Sequence, residues 1–144
     1  MNLERAIEIA VQAHKGSVDK GGRPYVLHPL AVMHALESDA EKIVGVLHDV
    51  VEDSEWTFER LVDEGFSEEI IEALRSVTKS PEDTDYFAFI RRVKKNPIGR
   101  RVKIADIEHN MDMKRISAVS EDDLLRQRKY KRALALIRNE RVDL

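Results

Sequence analysis

Cysteine is absent from the 144-residue sequence, which excludes a disulfide framework, a thiolate zinc site and a cysteine nucleophile together. Any metal must therefore be held by His, Asp or Glu. Long apolar runs are missing too: no stretch approaches the ~20 apolar residues that cross a bilayer, and no membrane partner is expected. The opening MNLERAIEIA carries a glutamate on each side of its arginine and no apolar segment of signal-peptide length, so cytoplasmic residence is the expectation. Charge of one sign is not in excess either, since 24 Lys and Arg face 27 Asp and Glu for a net charge of -3. Nothing in that balance suggests a nucleic-acid partner. The local basic clusters RRVKK and RKYKR suit a small anionic ligand better than a duplex.

The composition, 42% apolar and 35% charged, is that of a globular protein, and the length fits a single domain over residues 1–144. Apolar residues recur at helical spacing almost throughout, without the sustained alternation of a half-buried strand, so the fold class is all-α. A first helix is expected from Leu3 to Lys15, with Ala6, Ile9, Ala10 and Ala13 inward. It stops at GSVDKGGRP, a loop holding three of the six glycines. A second helix follows Pro29, and a third covers EKIVGVLHDVVED as a central helix. Thr57 to Val77 reads as two short helices broken at Gly65, with Ser67 an N-cap, and SPEDTD as a turn. DYFAFIRRVKK ends before Asn96, Pro97 begins the helix IGRRVKIADIEHNM, and a last helix opens at Ser120 and runs through LLRQRKYKRALALI.

The chemistry concentrates where the apolar pattern is interrupted. His48 and Asp49 are adjacent in the most apolar helix, with Glu52 and Asp53 one turn on; residues at i and i+4 share a face, so His48 is expected over Glu52 and Asp49 over Asp53. Unpaired carboxylates in such surroundings cost on the order of several kcal/mol, and a cluster of them demands a cation. The competing reading is a solvated helix end beyond Val51. Asp106 lies on another apolar stripe, near Val102 and Ala105, with His109 and Asn110 extending the polar surface. A Lys103–Asp106 ion pair is the plainer alternative there. His28 precedes a proline, which disfavours helical geometry and is expected to fix the imidazole at a helix entrance. His14 reads as structural, and His34 as surface or satisfied core. Two imidazoles and two carboxylates, His28, His48, Asp49 and Asp106, suit a borderline divalent ion such as Mn, Fe or Zn. Open positions on that ion would acidify a water, with Glu52 or Asp53 managing its proton.

The segments AHKG, RPYVLHPLAV, LHDVVEDS, SVTKS and VKIADIEHNMD, in this order, resemble the HD superfamily, specifically the hydrolase domain of RelA/SpoT proteins and its small stand-alone relatives. The resemblance implies an HD-domain helical bundle holding one divalent ion, usually Mn2+, through His28, His48, Asp49 and Asp106. It puts Glu52 and Asp53 on the pair that activates water and Asn110 on a substrate-contacting asparagine. Lys103, Arg126 and Tyr130 fall where similar proteins contact phosphates and nucleoside. The implied reaction removes pyrophosphate from the 3′ position of ppGpp and pppGpp, with a nucleotide as small-molecule partner.

The departures lie on the nucleotide side. Family members commonly place an Arg-Lys pair before the PYxxHP stretch, where this chain has Asp19 and Lys20; a threonine often follows the HN pair where this chain has Met113. The chain ends with its last bundle helix, so alarmone synthesis is not expected. Hydrolysis of another nucleotide or phosphate ester, and a non-catalytic nucleotide-binding module, remain as alternatives; the complete acidic set argues against the latter.

Overall fold

Short polar side chains start the helices. Asn2 accepts from the Arg5 amide at 2.9 Å and opens α1 (Leu3–Ala13). After α2 (Leu27–His34), Ser38 and Glu41 form a reciprocal capping box at α3 (Asp39–Leu47). Helix α4 (Val50–Asp53) is a single turn. Thr57, Ser67 and Asp85 cap α5 (Phe58–Asp63), α6 (Glu68–Ser76) and α7 (Tyr86–Lys94). Asn96 accepts from the Gly99 amide at 2.9 Å at the start of α8 (Pro97–Arg115), and α9 (Glu121–Arg138) follows. Each such cap is worth roughly 1 kcal/mol. The computed structural model describes residues 2–115 and 121–139, with their side chains except those of residues 113–115; the expected start at Ser120 and the Met113 side chain lie outside the described residues. Among these residues there is no strand, only an isolated bridge between Val18 and Pro24.

Two boundaries differ from the pattern-based expectation. Helix α2 starts at Leu27, so His28 and Pro29 lie inside its first turn. Amides there have no intrahelical acceptor, and Pro29 sacrifices no bond. The expected central helix is broken at His48–Asp49, which form a turn between α3 and α4. His48 Nδ1 lies 2.6 Å from the Gly45 carbonyl oxygen, and this side-chain bond competes for an acceptor of the helix ladder.

Helix α3 packs against α1, α2, α6 and α8, and α8 in turn against α2, α6, α7 and α9. Val44, Val46, Leu47, Phe89, Ile90, Val102 and Ile107 are fully buried between them, each contributing about 1.5–3 kcal/mol of apolar burial. A Cβ on Gly45 would fall 2.7 Å from Leu36 Cδ1 and 3.5 Å from the Met33 Cα. Glycine here lets α2 approach the C-terminal half of α3, which brings His28 near His48. No helix among the described residues is long and apolar enough to cross a membrane.

Candidate metal centre and active site

Three segments meet at one buried point. The turn after α3 presents His48 and Asp49, the first turn of α2 presents His28, and the middle of α8 presents Asp106. Consecutive residues of a regular helix diverge by about 100°; the break allows His48 Nε2 and Asp49 Oδ2 to lie 3.1 Å apart. Asp49 is the N-terminal flanking residue of α4 but makes no side-chain cap bond, which leaves its carboxylate to the cluster. One ligand atom each from His28, His48 and Asp49 lies within 4.8 Å of the others. Asp106 Oδ1 is 2.9 Å from His28 Nε2 and 3.4 Å from His48 Nε2.

The donor set fits a cation. His48 Nδ1 donates to the Gly45 carbonyl, so Nε2 is the ring atom turned toward the two carboxylates. That nitrogen is buried and has no hydrogen-bond partner among the described residues. Burial disfavours charge on the imidazole, yet Asp49 and Asp106 outweigh it and hold its pKa well above the usual histidine value. Positive charge is therefore wanted at Nε2, from a proton or a metal ion. Asp49 and Asp106 stay ionised for a matching reason. Burial opposes it, but His48 holds Asp49 down, and Lys103 followed by His48 holds Asp106 well below the carboxylate range.

The surrounding polar groups are organised around these four. Lys103 Nζ donates to Asp106 Oδ2 at 2.9 Å, as the plainer reading of this pair expected, and Asn110 Nδ2 donates to Asp106 Oδ1 at 3.1 Å. Asp53 is exposed, and its carboxyl is pushed up to about 6 by partial burial, then by Asp49 and Glu52. Glu52 is exposed on the same turn. Its Oε1 accepts from the Lys79 amide at 2.8 Å, tying the loop after α6 to the acidic turn.

A cationic wall faces the acids. Lys129 Nζ lies 4.1 Å and Lys79 Nζ 5.8 Å from the centre of the Tyr86 ring, and Lys103 Nζ lies 5.1 Å from the Phe89 ring. Burial, then Lys79, Lys103 and Arg126, lower the Lys129 pKa, the mark of cations crowded together. Arg126 and Tyr130 are half-buried on α9. After burial, Asp106 raises the Tyr130 pKa, so both residues belong to this side of the cluster. Lys20 is exposed in the α1–α2 loop, and no contact among the described residues joins it to the centre. Asp19 turns that loop: its Oδ1 accepts from the amides of Gly21 at 2.8 Å and Arg23 at 3.0 Å. His34 is exposed, and His14 is buried at the end of α1 with its ring 5.0 Å from that of Tyr25.

Sequence reasoning missed Tyr25, Lys79, Tyr86 and Lys129 as members of the site, and put His109 on its polar surface without the pairing to His28. The Tyr25 hydroxyl donates to Asp49 Oδ2 at 2.5 Å, and His28 Nδ1 lies 2.7 Å from His109 Nδ1. The position of Tyr25 three residues before His28, and of His109 beside Asn110, were the available signals. Lys79, Tyr86 and Lys129 are gathered only because the loop after α6 and helix α9 both reach the Tyr86 ring.

No family model matches the chain. It is 34% identical over 121 residues to a probable GTP pyrophosphokinase of Mycobacterium leprae, covering 76% of this chain and 15% of that protein. It is 39% identical over 82 residues to a guanosine-3′,5′-bis(diphosphate) 3′-pyrophosphohydrolase of Borreliella burgdorferi, covering 54% and 12%. A protein of the same description from Haemophilus influenzae is 34% identical over 116 residues, covering 72% and 17%. The chain thus spans less than a fifth of the length of these curated relatives. A solved structure described as a metazoan ortholog of SpoT that hydrolyzes ppGpp matches with a TM-score of 0.76 at 20% identity, over 92% of this chain and 82% of that one. In sequence the chain is thus similar to a small part of these GTP pyrophosphokinase and guanosine-3′,5′-bis(diphosphate) 3′-pyrophosphohydrolase relatives, and in fold to the helical structure of the SpoT ortholog.

Proposed function

We propose that residues 1–144 act as one divalent-metal-dependent phosphohydrolase domain that removes the 3′ pyrophosphate of (p)ppGpp-like alarmones, with Mn2+ as the ion. An HD-type domain implies a divalent metal. The observation that carries the reading is the buried, unpartnered His48 Nε2 between Asp49 and Asp106, with an acidic turn on one side and a cationic wall on the other. The names of the Borreliella and Haemophilus relatives support the substrate class. A cytoplasmic nucleotide pool suits a chain without cysteine.

The site residues divide by role. His28, His48, Asp49 and Asp106 would hold the cation, which would supply Lewis acidity to acidify water and neutralise phosphoryl charge. Asp53, with its carboxyl near 6, takes the proton of the attacking water, and Glu52 orients that water while fixing the Lys79 loop. Lys79, Lys103, Lys129 and Arg126 bind the pyrophosphate oxygens. Asn110 and Tyr130 contact the nucleoside side, with Lys20 able to close over it from the loop. The bond that breaks joins phosphorus to the ribose 3′ oxygen, and a proton ends on that oxygen.

One observation favours a second reading, hydrolysis of another nucleotide or phosphate ester. Asp19 is committed to turning its own loop, where similar proteins place a basic residue, so recognition of the base differs here. The test is an assay of Mn2+-loaded protein on ppGpp, pppGpp, ordinary nucleotides and NADPH, with His48→Ala and Glu52→Ala as controls. Release of pyrophosphate from ppGpp, lost in both variants, is the expected result. Turnover of another substrate alone overturns the alarmone assignment, and binding without turnover of any substrate overturns the enzyme.

A further inference from the structure

The two buried imidazoles of the centre differ in what holds their second nitrogen. His48 Nδ1 faces the Gly45 carbonyl oxygen at 2.6 Å. A carbonyl only accepts, so a proton is held on His48 Nδ1 and Nε2 is always the atom turned toward the carboxylates. His28 Nδ1 instead faces another imidazole nitrogen, His109 Nδ1, at 2.7 Å. The two ring planes differ by 23° with centroids 5.0 Å apart, which sets the rings edge to edge with the two nitrogens nearly in line. At that distance one of the nitrogens must carry a proton, because two facing lone pairs would repel; packing alone does not account for the contact. The other His28 nitrogen, Nε2, is 2.9 Å from Asp106 Oδ1.

We infer that His109 is a positioning residue that sets the tautomer of His28. When Nε2 of His28 serves as a ligand, the His28 proton sits on Nδ1 and is donated to His109 Nδ1. Without an ion, the bond reverses: His109 Nδ1–H donates to His28 Nδ1, and His28 Nε2–H donates to Asp106 Oδ1. Protons balance between the two states. One shifts from Nε2 to Nδ1 on His28 and one from Nδ1 to Nε2 on His109, with no net uptake or release. His109 has room for its half of the exchange. It is half-buried and lines a groove of about 640 Å³, in which water can accept from a His109 Nε2–H. The centre thus has one fixed imidazole and one adjustable imidazole.

This inference rests on the reading of His28 as a metal ligand, and the experiment separates the two. Two-bond proton–nitrogen correlation spectra of the full chain are recorded without metal and with diamagnetic Zn2+. The expected result is protonation of His28 at Nε2 in the first and at Nδ1 in the second. Mn2+ affinity is then measured by competition with a chelating fluorophore. His109→Phe is expected to weaken binding by about 10–100-fold, whereas His109→Gln, whose amide oxygen can accept from His28, stays within about threefold of the parent. Protonation of His28 at Nε2 in the Zn2+ form, or unaltered affinity in folded His109→Phe, overturns the inference. If His109→Phe does not fold, the spectra of the parent protein decide. Unaltered affinity in His28→Ala overturns the ligand reading itself; loss there with none in His109→Phe removes only the role of His109.

Discussion

The hydroxyl of Tyr25 donates to Asp49 Oδ2 at 2.5 Å. Burial, then Asp49, raises the phenol pKa far above its usual value, so Tyr25 remains a donor at any working pH. Partners that orient a metal-binding carboxylate from outside typically change affinity by 10–100-fold when removed. Tyr25→Phe is expected to weaken Mn2+ binding by about tenfold and to cost about 1 kcal/mol of stability. Competition titration and urea melts measure the two effects separately.

Asp53 carries a pH prediction whose sign runs opposite to that of most carboxylates. Its folded pKa is raised to about 6, so between the ordinary aspartate value and 6 the folded metal-free protein binds more protons than the unfolded chain. Stability from this group is present at low pH and falls as pH rises through 6. Asp53→Asn removes the loss, stabilising the metal-free protein at pH 7 by no more than about 1 kcal/mol, because solvent screens an exposed carboxylate. The same variant is expected to lose hydrolysis. Thermal melts at pH 4.5 and pH 7 show whether the gain is larger at the higher pH.

Arg92 anchors the loop that bears Lys79. Its guanidinium donates to the Thr78 carbonyl at 2.7 Å, to the Arg75 carbonyl at 3.1 Å and to both oxygens of Asp83. A lysine cannot reproduce that fork, and Arg92→Lys is expected to cost about 1–2 kcal/mol. The bond from Arg92 holds the Asp83 pKa below its usual value. The contribution of Asp83 is therefore present above pH 4 and lost as pH falls through that lowered pKa. Denaturation of Asp83→Asn and the parent at pH 7 and pH 3 checks the convergence at low pH.

Lys79 and Lys129 share the face of Tyr86. As ground-state contacts to phosphate oxygens, they affect substrate binding more than the chemical step. Lys129→Ala is expected to raise KM for the hydrolysed nucleotide by about tenfold with a smaller change in kcat, and a steeper dependence on salt disappears with it. Steady-state kinetics at two ionic strengths are the measurement.

Much of this site was legible in the sequence because acids and imidazoles interrupt apolar stripes, where burial makes an unpartnered polar group expensive. The caps at Ser67 and Asn96 were legible for the local reason that their side chains satisfy free amides. The break at His48–Asp49 was not. IVGVLHDVV keeps its apolar character straight through it, and the cause is a bond between a side chain and the Gly45 carbonyl that periodicity does not register. His28 entered a helix earlier than its proline suggested, since a first-turn amide is dispensable. Of the lysines opposite the acids, Lys129 was visible within the basic cluster RKYKR, whereas Lys79 lies outside both clusters and joins it only because the loop after α6 and helix α9 both reach the Tyr86 ring.

The four residues proposed to hold the ion come from segments far apart along the chain, His28 and Asp106 being 78 residues apart. An ion gripped by all of them would behave as a crosslink, closing large loops of chain and clipping α2, the α3–α4 turn and α8 into one unit. Chelation would then loosen the bundle as a whole, exposing it to proteases, so that metal supply would govern the lifetime of the protein as well as its turnover.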